Sequence, residues 1–529
     1  MSEQREVFSS RWIMLLVMLG MAVGTGNIWR FPRIAAQNGG GEFIVAWVAF
    51  LFLWSIPLIL LEFGTGRMTR RGPVGAFIQM MGPRWAWMGA FVAFVATAIM
   101  FYYSVVAGWT IRYVIASVTG EVPGAAPGAF WSSYTTSWWP VLTHAVAMGL
   151  GVIVVAKGVR AIEHVAKVLM PVLLLLIVLL TVRAVTLPGA DAGLSYLFTV
   201  DWRELGNVEI WLHALTQNAW DTGAGWGLVL CYGAYLRANE DTALNAFILP
   251  TANNIISLLA GIMVLCTVFS VVPLLVSNLA ADPAALDAFP ALAEAVRGGA
   301  ELSPDLMQST IFAAGNEGLT FIWMPELFAR VPFGRFFMVL FFVALAFAAF
   351  TSLIAMIELA TRVLIDAGMR RGRAIRLVGG AGFLLGVPSA ISLQVLHNQD
   401  WVWGVALMVS GLFFAIAVIT HGVRRFRQEQ LNHADSDVTV GRWWDVVIGV
   451  LVPLQAVVLL VWWLYQARGS DLKGWLDPTI VDNVGTVLFQ WAVVFIVLLL
   501  ANRWIATRTA GFEKAGATEG NGDRGRRLS

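Results

Sequence analysis

Two stretches of this chain place glycines and polar residues where a membrane helix would otherwise run unbroken. Residues 20–43 read GMAVGTGNIWRFPRIAAQNGGGEF, with Gly20, Gly24, Gly26, Asn27 and Arg30 between the apolar flanks 12–19 and 44–61. Residues 211–235 read WLHALTQNAWDTGAGWGLVLCYGAY, where Gly223, Gly225 and Gly227 follow Asp221. Hydrocarbon offers no water to unpaired N–H and C=O groups, so broken backbone at that depth lines a cavity or binds something. Freed carbonyls suit a small hard cation, which takes oxygen ligands. Ala348, Thr351 and Ser352, spaced i, i+3 and i+4, share one helical face and add two hydroxyls. Those hydroxyls could equally bond carbonyls of their own helix. A carboxylate at the bilayer midplane, as Asp221 would be, costs about 3 kcal/mol or more unless paired. A cation is its obvious partner.

The elements that would hold these residues are membrane helices. The 529-residue chain is 58% hydrophobic and 13% charged, with a mean hydropathy of +0.73, which makes it an integral membrane protein. About twelve segments reach the roughly 20 residues a span needs: 11–37, 41–68, 86–118, 139–156, 161–184, 207–235, 242–274, 332–366, 374–394, 400–424, 443–467 and 484–506. The expected fold is an all-α polytopic one. Residues 1–10 are polar and the apolar stretch after them exceeds a signal core, so no cleavable signal is expected. With the N-terminus in the cytoplasm, about 25 of the 35 Lys and Arg fall inside, as the positive-inside rule requires. Clusters at Arg67, Arg70 and Arg71, at Arg370, Arg371, Arg373 and Arg376, and at Arg424, Arg425 and Arg427 carry that bias.

Cys231 and Cys266 both fall in expected spans and read as small apolar core residues, with no disulfide framework or metal site. His144 and His213 read as core or interface histidines. The charged, Gly-rich tail from 507 is expected to be disordered. The long outside segment, about 275–331, contains GLTFIWMPELF at 318–328, too apolar for a free loop and expected to pack back as a lid. No P-loop, catalytic acid pair with a nucleophile or cofactor fingerprint occurs, so the chain does not read as an enzyme, and nothing points to nucleic acid.

Interrupted segments at corresponding places of two five-helix halves indicate an inverted repeat with a midplane site. Glycine also lets membrane helices approach closely, yet both breaks carry an intramembrane polar residue. The halves would be 11–184 and 207–425, joined by an outside loop 185–206, preceded by a cytoplasmic segment 1–10 and followed by peripheral helices within 426–506.

With these breaks, the NGGGEF run at 38–43, IPLILLEFGTGR at 56–67 and TSLIAMIE at 351–358, residues 5–425 resemble the neurotransmitter:sodium symporters, most closely the bacterial amino-acid branch typified by the leucine transporter. The resemblance implies two sodium ions. One would be held by the carbonyls of Gly20, Val23 and Ala348 with the Thr351 and Ser352 hydroxyls. The other would take the Ala22 carbonyl, Asn27 and Asn253, with Asp221 standing where the family has Thr or Ser. Asp221 either replaces the substrate carboxylate that usually joins this ion, or sodium screens both. Gln217, Asn253 and Ser257 agree with the chloride site of animal members, while Trp47 replaces their Tyr. A fixed carboxylate at Asp221 would make chloride unnecessary.

The same resemblance lines the substrate pocket with Met21, Ala22, Gly24, Gly26, Ile99, Tyr103, Trp220, Asp221, Gly223, Trp226, Ser352 and Met356. Tyr103 would bond a substrate carboxylate, which the broken first helix also receives through its N–H groups and dipole. Gly24 stands where monoamine members have Asp, which favours an amino acid. Met21 in place of Asn and Trp220 in place of a Phe lid depart from the pattern, and Asp221 keeps a cationic or carboxylate-free amine open. Arg30 and Asp400 match the outer gate; Arg5 and Asp366, with Tyr235, match the inner latch. An exposed Arg–Asp pair is worth about 0–1 kcal/mol, which suits a latch broken every cycle. Glu62 would satisfy N–H groups at the helix breaks. Glu358, where the family often has Gln, would hydrogen-bond or relay a proton. The expected activity is sodium-coupled import of a small amino acid or related solute by alternating access, in a prokaryotic inner membrane and in a possible homodimer. A transport-inactive sensor is the competing class; the inner-latch residues argue against it.

Overall fold

The computed structural model describes residues 7–124, 126–237, 240–433, 436–468 and 474–525. Among them, ten helices are long and apolar enough to cross a bilayer without a break: α3 (Gly41–Thr69), α4 (Pro83–Thr119), α5 (Trp139–Ala156), α6 (Val159–Val185), α9 (Thr242–Ala281), α10 (Gly334–Asp366), α11 (Arg371–Ile391), α12 (Leu393–His421), α13 (Trp443–Ala467) and α14, whose apolar part is Val484–Thr509. An eleventh span is a bent pair, α1 (Arg11–Ala22) and a π-turn Gly26–Arg30 leading into α2 (Phe31–Gln37), with a 55° bend. The remaining expected span is α7 (Val208–Asp221) and α8 (Leu228–Gly233), of 14 and 6 residues. Each is too short to cross alone.

Local chemistry sets the ends of these helices. The side chains of Ser10, Asn207 and Asp241 accept the N–H groups of Ile13, Glu209 and Leu244, capping α1, α7 and α9. Ser392 alone separates α11 from α12; its extended backbone turns the chain and its hydroxyl accepts from Val395 N–H. The gap expected between 394 and 400 is therefore helical. Helix α1 ends because Val23 is extended (φ −72°, ψ 101°). The α7–α8 break is made by Gly223, Gly225 and Gly227 at φ +73°, +85° and +77°, where other L-residues would be strained.

Helix α4 lies at the centre, against α5, α10 and α12, while α1 packs on α6, α9 and α10. Helices α13 and α14 are the least enclosed spans, and Val461 and Leu500 on them face outward. Helix α14 continues to Gly525, so 507–525 is helix where composition predicted disorder, against the preference of Gly511, Gly516, Gly520 and Gly522. Residues 526–529 of that tail lie outside the described ones. Outside, Phe321 of the 318–328 stretch is fully buried, stacked at 5.1 Å on Trp131 and 4.7 Å from Tyr113 of α4.

The NGGGEF run works as a clasp. A Cβ at Gly41 would lie 2.2 Å from the Thr199 carbonyl oxygen, and Glu42 Oε1 accepts the Asp201 N–H at 2.5 Å. The chain around 196–201 is thereby fastened to the start of α3. At the other end of α3 the backbone meets α8: a Cβ at Gly66 would stand 2.3 Å from the Leu230 carbonyl oxygen and 2.9 Å from Gly233 Cα. Gly66→Ala should therefore destabilise the protein by about 1–3 kcal/mol through overpacking, read as a lower thermal midpoint in detergent. Gly149→Ala, with nothing within 4 Å of its added methyl, should leave that midpoint unchanged or higher.

Candidate functional site

The two breaks meet in the interior. A Cβ at Gly26 would lie 3.5 Å from Asp221 Oδ1, and one at Gly223 would lie 3.4 Å from the Met21 methyl. Between them and the outside runs a cavity of about 390 Å³, within the range that holds small ligands. Met21, Ala22, Gly24, Gly26, Tyr103, Trp220, Asp221, Gly223, Trp226, Ser352 and Met356 all line it, and it continues outward past Arg30 to Arg33, Glu317, Asp400 and Trp463. Ile99 does not line it. It stands one turn before Tyr103, fully buried in the packing of α4.

Polar groups around the α1 break come from four other helices. Ser352 Oγ of α10 lies 3.1 Å from the Met21 carbonyl, 3.3 Å from that of Val23 and 3.5 Å from that of Gly20. Thr351 instead donates to its own helix, to the carbonyls of Ala348 (3.1 Å) and Phe347 (3.0 Å); its Cβ is nonetheless 3.2 Å from where a Gly20 side chain would begin. Asn27 Oδ1 accepts the Gly24 N–H at 2.7 Å, and Asn27 Nδ2 donates to Asn253 Oδ1 (2.9 Å) and Ser257 Oγ (2.8 Å) of α9. Ser257 in turn donates to Asp221 Oδ2 at 2.5 Å. Asp221 Oδ1 is buried and makes no hydrogen bond of standard geometry, with the Gln217 and Asn253 side-chain amides as its polar neighbours. Tyr103 OH accepts the Thr25 N–H at 3.2 Å.

The α7–α8 break is served by one residue. Fully buried Glu62 of α3 accepts the Gly225 N–H at 2.6 Å and the Leu230 N–H at 3.1 Å. Trp47 packs against Phe31 with the rings tilted by 49° and centroids 4.6 Å apart, and its carbonyl accepts from Asn218 at 2.8 Å.

The residues expected to act as gates stand differently at the two ends of the molecule. Outside, the described residues hold no Arg30–Asp400 bridge. Arg30 donates to Gln217 Oε1 at 3.3 Å and lies 5.4 Å above the Trp220 ring, while Asp400 accepts from Tyr102 OH at 3.0 Å. The expected outer pair is thus parted, with the cavity running between its members. Above it, Arg33 Nε donates to Asn316 Oδ1 of the lid at 2.8 Å. The neighbouring Glu317 is raised by burial, but the His397 ring 3.6 Å away and Arg33 outweigh this and hold its carboxyl below the ordinary range.

At the opposite end the described residues pack around Phe8. Phe8 is buried, with ring centroids 6.1 and 6.2 Å from Tyr232 and Tyr235, and its N–H donates to the Tyr235 carbonyl at 3.1 Å. Arg5, the expected partner of Asp366, lies outside the described residues. Asp366 bridges Arg362, one turn back on α10, at 3.1 Å and accepts the Gly72 N–H at 2.6 Å.

Tyr235 OH donates to Glu358 Oε1 at 2.6 Å, and Arg371 bridges Glu358 Oε2 at 2.6 Å. Sequence reasoning missed Arg362 and placed Arg371 only among the cytoplasmic charges. Arg362 stands four residues before Asp366 on one helix, a spacing that could have shown it; Arg371 reaches Glu358 only through the α10–α11 turn. His144 holds α5 to α11 through the Phe383 carbonyl at 3.0 Å, and His213 lies edge-on to Trp462 at the cavity mouth.

A family model described as the sodium:neurotransmitter symporter family matches residues 5–137 and 133–507. The chain belongs to that family. Among relatives of this symporter is an uncharacterized sodium-dependent transporter of Methanocaldococcus jannaschii, 28% identical, with 86% of this chain and 90% of the relative covered. The uncharacterized sodium-dependent transporter YhdH of Bacillus subtilis is 29% identical, with 87% and 98% covered. The sodium-dependent serotonin transporter of Drosophila melanogaster is 26% identical, with 80% and 71% covered. Among solved structures, that of MhsT in complex with L-phenylalanine superposes with a TM-score of 0.71 at 26% identity, over 86% of this symporter and 99% of that chain.

Buried Glu358 generates a prediction. Removing one partner of a buried ion pair costs about 3–5 kcal/mol, whereas replacing both by apolar or neutral groups is close to neutral. Arg371→Met should strongly lower the thermal midpoint, and Glu358→Gln added to it should recover most of the loss in a double-mutant cycle.

Proposed function

We propose that this symporter imports a small amino acid or related solute together with sodium, through the cavity between the two breaks. The observation that carries this reading is the set of oxygens gathered there: Ser352 against the Gly20, Met21 and Val23 carbonyls, and Asn27, Asn253 and Ser257 leading to an unpartnered Asp221 oxygen. One sodium would sit among the Gly20, Val23 and Ala348 carbonyls and the Thr351 and Ser352 hydroxyls. Thr351 would turn from its own helix to reach it. A second would take the Ala22 carbonyl, Asn27, Asn253 and Asp221. These donors suit a hard cation, and a charge opposite Asp221 relieves the cost of a buried carboxylate.

With the N-terminus in the cytoplasm, the parting of Arg30 from Asp400 and the packing around Phe8 would support an outward-facing state. Sodium would favour it and organise the α1 break for substrate. Closure of Arg30 toward Asp400 would then accompany release of the inner contacts. Asp221 Oδ2 already takes the Ser257 hydroxyl that would otherwise help hold chloride, so transport should proceed without chloride. A second reading is favoured by the free Asp221 oxygen itself: it could be the counter-ion of a cationic amine. The native compartment would be the inner membrane, with the N-terminus in the cytoplasm.

Ligand bound to the native state stabilises it, by roughly 2.7 kcal/mol at a hundredfold excess over Kd. Thermal midpoints of purified protein should rise with a neutral amino acid only when sodium is present, and should not change when gluconate replaces chloride. Asp221→Asn should weaken the sodium requirement or restore a chloride effect. A response to amines alone, abolished by Asp221→Asn, would assign the carboxylate to the substrate and overturn the amino-acid reading.

A further inference from the structure

Trp220 ends α7 beside the cavity, and its indole lies against α12 at a position where that helix has no side chain. A Cβ at Gly404 would stand 2.2 Å from Trp220 Cζ2, 3.1 Å from Cε2 and 3.2 Å from Cη2. Gly404 lies one turn beyond Asp400 on the same helical face, and both line the cavity. Across the ring, the Arg30 guanidinium sits 5.4 Å from its centroid, and Trp226 meets it edge-on at 5.7 Å. The indole is thus part of the wall of one cavity, whose lining extends from Met356 and Ser352 to Arg33 and Glu317.

We infer that Gly404 is a positioning residue for transport: it is the parking slot of the Trp220 lid, and its missing side chain keeps the substrate pocket open to the outside. The inference rests on the reading of Trp220 as the lid of that pocket. Tryptophan is the bulkiest side chain that could serve as a lid, and in a pocket this size it must have somewhere to go when the pocket is open. A methyl at Gly404 would meet the rigid ring well inside contact distance. The ring hangs on two rotatable side-chain bonds, whereas Gly404 belongs to the 29-residue helix α12, so the ring is what moves. The flank is closed to it by α12, and the open volume is the cavity itself. Filling the slot therefore swings the indole across the path to Ser352 and Met356. The size of the lid and the absence of a side chain at 404 are matched to each other, and a smaller lid would tolerate a larger residue there.

Access beneath the lid can be read without knowing the substrate. Met356→Cys places a thiol at the bottom of the cavity; Cys231 and Cys266 are buried and are replaced by Ala to remove background. The probe is 2-(trimethylammonium)ethyl methanethiosulfonate, applied to purified full-length protein in sodium buffer, and the readout is the rate of thiol labelling. The parent should label readily. Gly404→Ala should slow labelling by about tenfold or more, the scale of an overpacked contact. Trp220→Phe in the Gly404→Ala background should restore the rate to within about twofold of Trp220→Phe alone, a rescue that general damage to α12 would not allow.

Labelling of Gly404→Ala at the parental rate, or failure of Trp220→Phe to restore it, overturns the inference while leaving the outward-facing pocket intact. A parent that does not label overturns the proposed pocket, and the inference with it. Ala is favoured over Gly within a helix. If Gly404→Ala nevertheless fails to fold, folding of the double variant with Phe supports the inference, and failure of both overturns it.

Discussion

Backbone N–H and C=O groups released in the middle of a bilayer have no water to turn to, and this governs the whole interior of the symporter. The α1 break frees groups at Gly20, Met21, Val23, Gly24 and Thr25; the α7–α8 break frees those at Gly225 and Leu230. The polar side chains that face them are Ser352 on α10, within 3.1–3.5 Å of the Gly20, Met21 and Val23 carbonyls, Tyr103 on α4, Glu62 on α3, and Asn27 within the broken segment itself. The polar residues of the spans are therefore gathered where regular helix stops. The apolar remainder, such as Val461 and Leu500, faces outward.

One consequence is that the two breaks cannot be understood singly. Asn27 reaches Asp221 through Ser257, so the second half of the first broken helix is tied to the end of α7 by a residue of α9. A chain of short hydrogen bonds in a low-dielectric interior holds its members in register, and a single unsatisfied oxygen within it is a high-cost feature. Asp221 Oδ1 is that feature, beside the cavity.

The two faces of the molecule use different physics for similar purposes. The outer side relies on groups separated by open volume: Arg30 over Trp220 and Asp400 on Tyr102. The inner side relies on buried aromatic packing around Phe8 and on a buried ion pair at Glu358. Breaking the inner contacts exposes apolar surface and a desolvated carboxylate together.

By itself the sequence determined the membrane class, the all-α fold, the family and the places of the breaks, because these depend on local properties. Runs of apolar residues report spans, and glycines beside Asn27, Arg30 and Asp221 report interruptions. Long motifs such as NGGGEF and IPLILLEFGTGR are contiguous in the chain and carry the family resemblance. Most pocket residues were legible for the same reason, being anchored to those motifs. Only the tertiary structure decided which polar groups meet. Thr351 turns to its own helix, Ile99 falls behind the pocket, Arg371 reaches back to Glu358, and Gly404 leaves its space to Trp220. Each of these depends on how helices distant in the chain are rotated against one another, and one sequence carries no local signal of that rotation.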